Sequence, residues 1–394
     1  MILLAIFLAV LLAYVLVSKR LEQTMVTGPI VFLASGMAAG ALAGDLSAAQ
    51  GGREVFLSVA ETSLVLLLFA DASRTNLRLL RQSGNLPARL LTIGMLGSLV
   101  LGGLAAMVVF GGLSIWQVGI LAAILAPTDA GLGQIIVRSE QVPARIREAL
   151  GVEAGLNDGL SVPFLLFFMA LATAGGSTEA HLLSLIRDQL GLGALIGAAI
   201  GGGGGALLAW SRRRGWTTEE LGPIAVVVLP LLCLLAAEGA GASMFIAAFV
   251  AGLAVQTTFT HAPRHSVEFA EGWGQLLCYA VFFLFGLLVV QEWRLLDARL
   301  FVYAALSLTI VRMLPVALAL IGTGLDRATV LFMGWFGPRG LASIVLGLVY
   351  LEHQAGVAGA ETIRLATMAT VLLSIVAHGL TAVPGIGWLR RSET

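Results

Sequence analysis

Five ionisable side chains lie in stretches that are otherwise almost wholly apolar: Asp129, Glu153, Asp158, Arg312 and Arg339. An ionised group at bilayer depth costs at least ~2.5–3.5 kcal/mol, so each needs a partner or a task. Glu153 and Asn157 are four residues apart and share a helix face. Asp158 turns about 100° away from that face. Two arginines and three deep carboxylates cannot all neutralise one another. Pairing Glu153 with Arg312 and Asp129 with Arg339 leaves Asp158 without a fixed counter-ion. Such a carboxylate either holds a proton or finds a cation, which is the minimum chemistry for exchanging one against the other. Thr128 adds a hydroxyl and a carbonyl oxygen, donors that suit a hard cation, so Asp158 and Thr128 are the expected ion ligands. A plainer reading stands beside this one, in which Asp129, Glu153, Arg312 and Arg339 are structural charges holding broken helices together. Asp71, in LVLLLFADAS, is open to either reading, since Arg74 follows it closely.

The elements that position these groups must cross a membrane. The 394-residue chain is 58% apolar and 12% charged, with a mean hydropathy of +0.95. Surface area grows almost as fast as mass, so a soluble core cannot hide that much apolar surface. The excess faces lipid, which excludes a soluble enzyme, a nucleic-acid binder and a secreted disulfide scaffold. The 23 basic and 23 acidic residues cancel and leave no field to attract a polyanion. Cys233 and Cys278 fall in apolar runs and suggest neither a disulfide nor a metal site.

Bilayer-length runs begin near Ile2, Pro29, Val55, Arg89, Ser114, Ala149, Leu190, Pro223, Ser243, Gln275, Leu300, Ala328 and Thr362. Thirteen spans are therefore expected. Twelve is the fallback, because only Glu238 and the small residues 239–241 separate the eighth from the ninth. The first run carries Lys19-Arg20 behind it rather than in front, unlike a cleaved leader. With the N-terminus outside, sixteen basic residues fall in inner loops and five in outer ones, which places the C-terminus in the cytoplasm. Counting along each helix puts Asp158, Arg312 and Arg339 about 16–20 Å from an end, near one middle layer.

Two spans carry helix breakers near their centres. The fifth reads LAAILAPTDAGLGQIIV and the twelfth VLFMGWFGPRGLASIVLGL. Proline removes an amide and clashes with the preceding turn, and freed backbone groups survive at membrane depth only inside protein or beside a wet cavity. Spans five and twelve are seven apart and so cross in opposite directions. The expected fold is therefore all-α and integral to the membrane, with two inverted six-helix repeats, spans one to six and eight to thirteen, and crossing discontinuous helices five and twelve. That arrangement points to a transporter with its site at the midplane. The glycine run Gly201 to Gly205, in the linking span, is explained by close helix packing.

On these residues the sequence resembles the NhaP-like sodium/proton antiporters, the electroneutral branch of the monovalent cation:proton antiporters. The resemblance covers nearly the whole chain. It rests on Thr128-Asp129, on Glu153 with Asn157-Asp158, and on Gly337-Pro338-Arg339-Gly340, in that order and spacing. It implies that Asp158 binds the cation and the proton, that Thr128 and Asp129 complete the site, and that Arg312 partners Glu153. Asp71 matches a position where relatives often carry an acid near the site. It also implies a homodimer with a moving core, about residues 55–173 and 275–385, and dimerisation helices, about 2–46 and 190–258. Asparagine before aspartate goes with one proton per cation in that family. This chain departs from it at Ala154, where relatives often have serine, and at GPRG, where many sodium exchangers place leucine before the arginine.

The expectation is thus electroneutral exchange of Na⁺ or Li⁺ for H⁺ across the cell inner membrane. K⁺/H⁺ exchange on the same scaffold is the nearest alternative, and a channel or ion-gated sensor a more distant one. An enzyme is not expected, since HExxH is absent and no nucleophile is placed with a histidine base. His378 is expected to be packed or hydrogen-bonded. No cofactor, nucleotide or nucleic-acid partner is expected, so transport is driven by ion gradients.

Overall fold

Long runs of Leu, Ile, Val and Ala form helices in lipid because the backbone must satisfy its own polar groups there. The computed structural model describes residues 2–21, 24–43, 50–74, 86–173, 187–259, 264–354 and 357–392. Among these, the helices are α1 (Ile2–Leu21), α2 (Gly28–Ala43), α3 (Gln50–Arg74), α4 (Leu86–Val109), α5a (Ile115–Ile124) and α5b (Ala130–Arg138). Then follow α6 (Ala144–Thr173), α7 (Arg187–Arg213), α8 (Gly222–Gly239), α9 (Met244–Thr258) and α10 (Arg264–Glu292). The chain ends with α11 (Ala298–Ala319), α12a (Arg327–Trp335), α12b (Leu341–Gln354) and α13 (Ala360–Ser392). Nine of the described helices are long and apolar enough to cross a bilayer, and the shorter apolar ones include α2, α5a, α9 and α12b. This is the expected thirteen-span order, with spans five and twelve each in two pieces. Arg78 and Arg81, counted above among the inner basic residues, lie outside the described residues.

Local signals set the boundaries. Ser114 caps α5a in a reciprocal box with Gln117, and Asp326 caps α12a through the amides of Ala328 and Thr329. The doubtful boundary between α8 and α9 is resolved by a tight turn. Gly241 takes φ of 67°, which favours glycine, and Ser243 then caps α9. Departures from regular helix were not legible, among them π-helical stretches at Arg187–Leu192 and Ala198–Gly202 within α7. A π-helical turn spans Leu90–Gly94 within α4, and α11 is interrupted at Thr309, three residues before Arg312.

The chain clusters into two compact units. The first holds residues 1–59, 77–157 and 279–394. In it α2 lies on α10, so closely that a methyl at Gly36 would strike the Phe283 carbonyl and one at Gly286 the Leu33 carbonyl. A cluster of Leu86, Ile136, Ile146, Phe332 and Leu389, among others, binds α4, α5b, α6, α11, α12a and α13 together at one end. Arg89 donates to the Ala319 carbonyl at 3.0 Å, meeting the end of α11.

The second unit holds residues 60–76 and 158–278. Here α9 lies on α3, and a methyl at Gly252 would strike the Phe69 carbonyl. Because α2 and α3 correspond to α9 and α10 in the two inverted repeats, one pairing rule recurs in both units. The glycine-rich part of α7 packs as expected: a methyl at Gly197 would meet the Ala247 backbone and one at Gly201 the Ala251 backbone. Gly202 and Gly203 face open space instead. Lipid has no hydrophobic reason to expel a helix, so close approach through small residues is what holds such contacts.

Candidate functional site

The two breaks cross within the first unit. The chain leaves α5a at Leu125, turns and bends through Ala126 and Pro127, and re-enters helix after Asp129, the extended cap of α5b. The amide of Asp129 donates to the Pro338 carbonyl at 2.7 Å. Its carboxylate accepts from Leu132 N at 2.7 Å and from Leu341 N at 2.5 Å. One carboxylate therefore meets the first turns of both α5b and α12b, where helix dipoles favour negative charge. A methyl on Gly340 would collide with it.

The opposite helix ends receive the opposite charge. Arg339 is fully buried, and its Nη1 donates to the carbonyls of Ala126 and Pro127 at 2.6 and 2.8 Å. Ser343 Oγ donates to the Ile124 carbonyl at 2.8 Å. The expected direct pairing of Asp129 with Arg339 thus takes another form, in which each charge meets the backbone of the other break. The physical reason is demand: proline and the interrupted helices leave amides and carbonyls that must be satisfied at this depth.

The expected pair of Arg312 with Glu153 is present. Nη1 and Nη2 donate to the two carboxylate oxygens at 2.5 and 2.9 Å, and both side chains are 2% exposed. The fork geometry is the one that makes such pairs specific. A methyl on Gly337 would strike the Arg312 guanidinium, so the pair also lies against the α12 break. One turn along α6 from Glu153, Asn157 Nδ2 donates to Thr128 Oγ1 at 2.6 Å. The shared face of Glu153 and Asn157 therefore grips Arg312 with one residue and the α5 break with the other.

Within the first unit the structure brings together Thr128, Asp129, Glu153, Asn157, Arg312 and Arg339. Asp158 follows Asn157 directly on α6, is part-buried, and its carbonyl accepts from Ser161 Oγ at 2.8 Å. It falls in the second unit, as does part-buried Asp71 on α3. Arg74, expected beside Asp71, pairs with Glu271 of α10 at 2.5 Å. Ala154 is buried and offers no oxygen from its side chain.

Three polar residues of the crossing carried too little signal to be singled out as parts of it: Ser343, Ser374 and His378. Ser374 Oγ accepts from the Arg339 amide at 2.6 Å, and His378 Nε2 lies 2.9 Å from the Trp335 carbonyl. The four-residue spacing of Ser374 and His378 was the available clue. His378 is packed and hydrogen-bonded, as expected.

Known proteins share this architecture. The structure of the sodium proton antiporter MjNhaP1 from Methanocaldococcus jannaschii at pH 8 superposes with a TM-score of 0.79 over 99% of both chains, at 20% identity. In sequence, the chain is 27% identical over 380 residues to the K(+)/H(+) antiporter NhaP of Alkalimonas amylolytica, covering 95% of this chain and 64% of that protein. It is 28% identical over 275 residues to the K(+)/H(+) antiporter NhaP2 of Shewanella sp. strain ANA-3, covering 67% of this chain and 46% of that one. The chain thus spans about two-thirds or less of the length of these curated relatives. A sequence model described as "Sodium/hydrogen exchanger, transmembrane" matches residues 6–386, so the chain belongs to the sodium/hydrogen exchanger family.

Proposed function

We propose that this integral membrane protein exchanges a monovalent cation, Na⁺ or Li⁺, for H⁺ by alternating access, one for one, with Asp158 binding either the cation or the proton. The observation that carries the reading is that Asn157, the residue before Asp158, is tied to Thr128 at the α5 break. Asp129 holds two helix N-termini and Glu153 holds Arg312. Exchange chemistry is assigned to Asp158, which follows Asn157 on α6. Thr128 supplies oxygen to the cation. Asn157 Oδ1 is a buried acceptor with no hydrogen-bond partner among the described residues, and a hard cation seeks such oxygens. One carboxylate that trades one H⁺ for one Na⁺ moves no net charge. Asp71 is a further acid of the site.

In this reading the protein is a homodimer of the cell inner membrane, with its N-terminus outside and its C-terminus in the cytoplasm. Helices at about 2–46 and 190–258 form the dimerisation part, and those at about 55–173 and 275–385 the moving core. The second reading is K⁺/H⁺ exchange, favoured by the names of two relatives.

The test is the purified protein in acid-inside liposomes with the potential clamped to zero, followed by a pH-sensitive dye. Collapse of the gradient by Na⁺ or Li⁺ but not K⁺ supports the first reading, and collapse by K⁺ supports the second. Asp158→Asn is expected to abolish exchange while leaving insertion and folding intact. Exchange retained by a correctly inserted Asp158→Asn protein overturns the assignment of the carboxylate.

A further inference from the structure

Ser374 and His378 belong to α13, are 0% and 2% exposed, and are not among the proposed ion ligands. His378 Nε2 is 2.9 Å from the carbonyl of Trp335, the last residue of α12a. Nδ1 in turn lies 3.0 Å from the Ser374 carbonyl, so each ring nitrogen faces a backbone carbonyl that can accept its proton. Ser374 Oγ also lies 3.1 Å from Nδ1, within hydrogen-bond reach. The same oxygen accepts from the Arg339 amide at 2.6 Å. A continuous chain of hydrogen-bond contacts therefore links the Arg339 amide through Ser374 and His378 to the Trp335 carbonyl. It starts on one side of the α12 break and ends on the other.

Trp335 itself is held in three ways. Its ring stacks on His378 at 4.9 Å and 29°, its Nε1 donates to Thr381 Oγ1 at 2.9 Å, and its carbonyl also accepts from Gly337 N at 2.8 Å. The helix end and the residue after the proline are thus tied to the same two turns of α13. What lies downstream is Arg339, whose guanidinium grips Ala126 and Pro127 beside Thr128 and Asp129.

We propose that Ser374 and His378 are positioning residues that clamp both sides of the α12 break and, through Arg339, set the position of the α5 break at the ion site. The effect on ion affinity rests on the antiport reading above; the clamp itself rests on the break geometry alone. Ser374→Ala removes the middle link and leaves the bond from His378 to Trp335. The variant is expected to raise the apparent KM for the transported cation roughly three- to tenfold, the scale of one net hydrogen bond. Maximal turnover should stay close to wild type. His378→Leu should do at least as much, and His378→Gln, which keeps an N–H donor, should recover part of the loss.

Hydrogen exchange of residues 336–341 in the intact protein supplies a readout that needs no transport. The Arg339 amide should exchange roughly tenfold faster in Ser374→Ala, since it loses the Ser374 hydroxyl as acceptor. A wild-type KM in folded Ser374→Ala and His378→Gln overturns the proposed effect on the ion site, and a lowered melting temperature with unchanged KM does the same. Unchanged exchange of the Arg339 amide overturns the clamp. If the wild type exchanges no cation, the antiport reading falls, and the amide measurement still decides the clamp. Should His378→Leu fail to fold, Ser374→Ala and His378→Gln decide both points.

Discussion

The break in α5 runs Ala126-Pro127-Thr128-Asp129 and the break in α12 runs Gly337-Pro338-Arg339-Gly340, so each places a charge within two residues after a proline. Beyond that the two differ. Asp129 and Arg339 bear opposite charges, and each meets the backbone of the other break. The α12 break is bound on its far side by Ser374 and His378 of α13. The α5 break instead turns Thr128 toward Asn157, one residue from Asp158. The difference teaches that two crossing helices need not share the work. In this molecule α12 is the brace, and α5 carries the hydroxyl that meets Asn157. Proline alone does not make such a break. Pro163, Pro230, Pro315 and Pro384 all lie inside helices that continue past them. A break persists where buried charges and hydroxyls are in place to receive the freed backbone groups.

If α12 is the brace, its charge should matter most to folding. Arg339→Ala leaves the Ala126 and Pro127 carbonyls without their charged donor and is expected to cost about 3 kcal/mol or more. Thermal denaturation in detergent, with transport measured on whatever remains folded, checks this. A stable Arg339→Ala protein with normal ion affinity breaks the distinction between brace and site.

Much of this arrangement was legible in the sequence because lipid leaves the chain few choices. Apolar runs long enough to span became helices, and charges costly at that depth marked where helices meet. The pair of Glu153 with Arg312 followed from sign and depth. The partners of Asp129 and Arg339 did not, because their demand comes from backbone amides and carbonyls at helix ends. Sequence letters name side chains and are silent about which peptide groups a crossing will expose. Ser374 and Ser343 were hidden for the same reason, since a serine in an apolar helix has no signature until its backbone partner is known. The π-turn in α4 ends on Gly94, one of many glycines in the apolar runs, and the interruption at Thr309 has no proline or glycine at the point of change.

The site side of the comparison is sharpened by Thr128→Val, which keeps shape and removes the acceptor of Asn157. The loss of stability should be about 1 kcal/mol, well below that of Arg339→Ala. The larger effect should be on ion affinity, with an apparent KM raised several-fold in liposome assays. Thr128→Ser should restore most of it. An unchanged KM in Thr128→Val would place the working oxygen elsewhere.

The smallest effect separates the first turns of α5a and α12a. Ser114 and Gln117 cap α5a and do not titrate, whereas α12a is capped by the exposed carboxylate of Asp326. The hydrogen bond from the Thr329 side chain, with the amides of Thr329 and Ala328, holds the Asp326 carboxyl below its ordinary value of 3.8. A depressed carboxyl stabilises the fold above its unfolded pKa, and that contribution is lost as pH falls through the folded one. Acidification below the ordinary carboxylate range should therefore loosen the start of α12a and spare α5a. Asp326→Asn keeps a good cap that cannot titrate, so it should flatten this part of the pH profile. The difference should be under about 1 kcal/mol, because the group is exposed and screened. Thermal stability measured against pH for wild type, Asp326→Asn and Ser114→Ala decides it: Ser114→Ala should lower stability equally at every pH, and a wild-type slope that survives in Asp326→Asn assigns the acid sensitivity to another carboxylate.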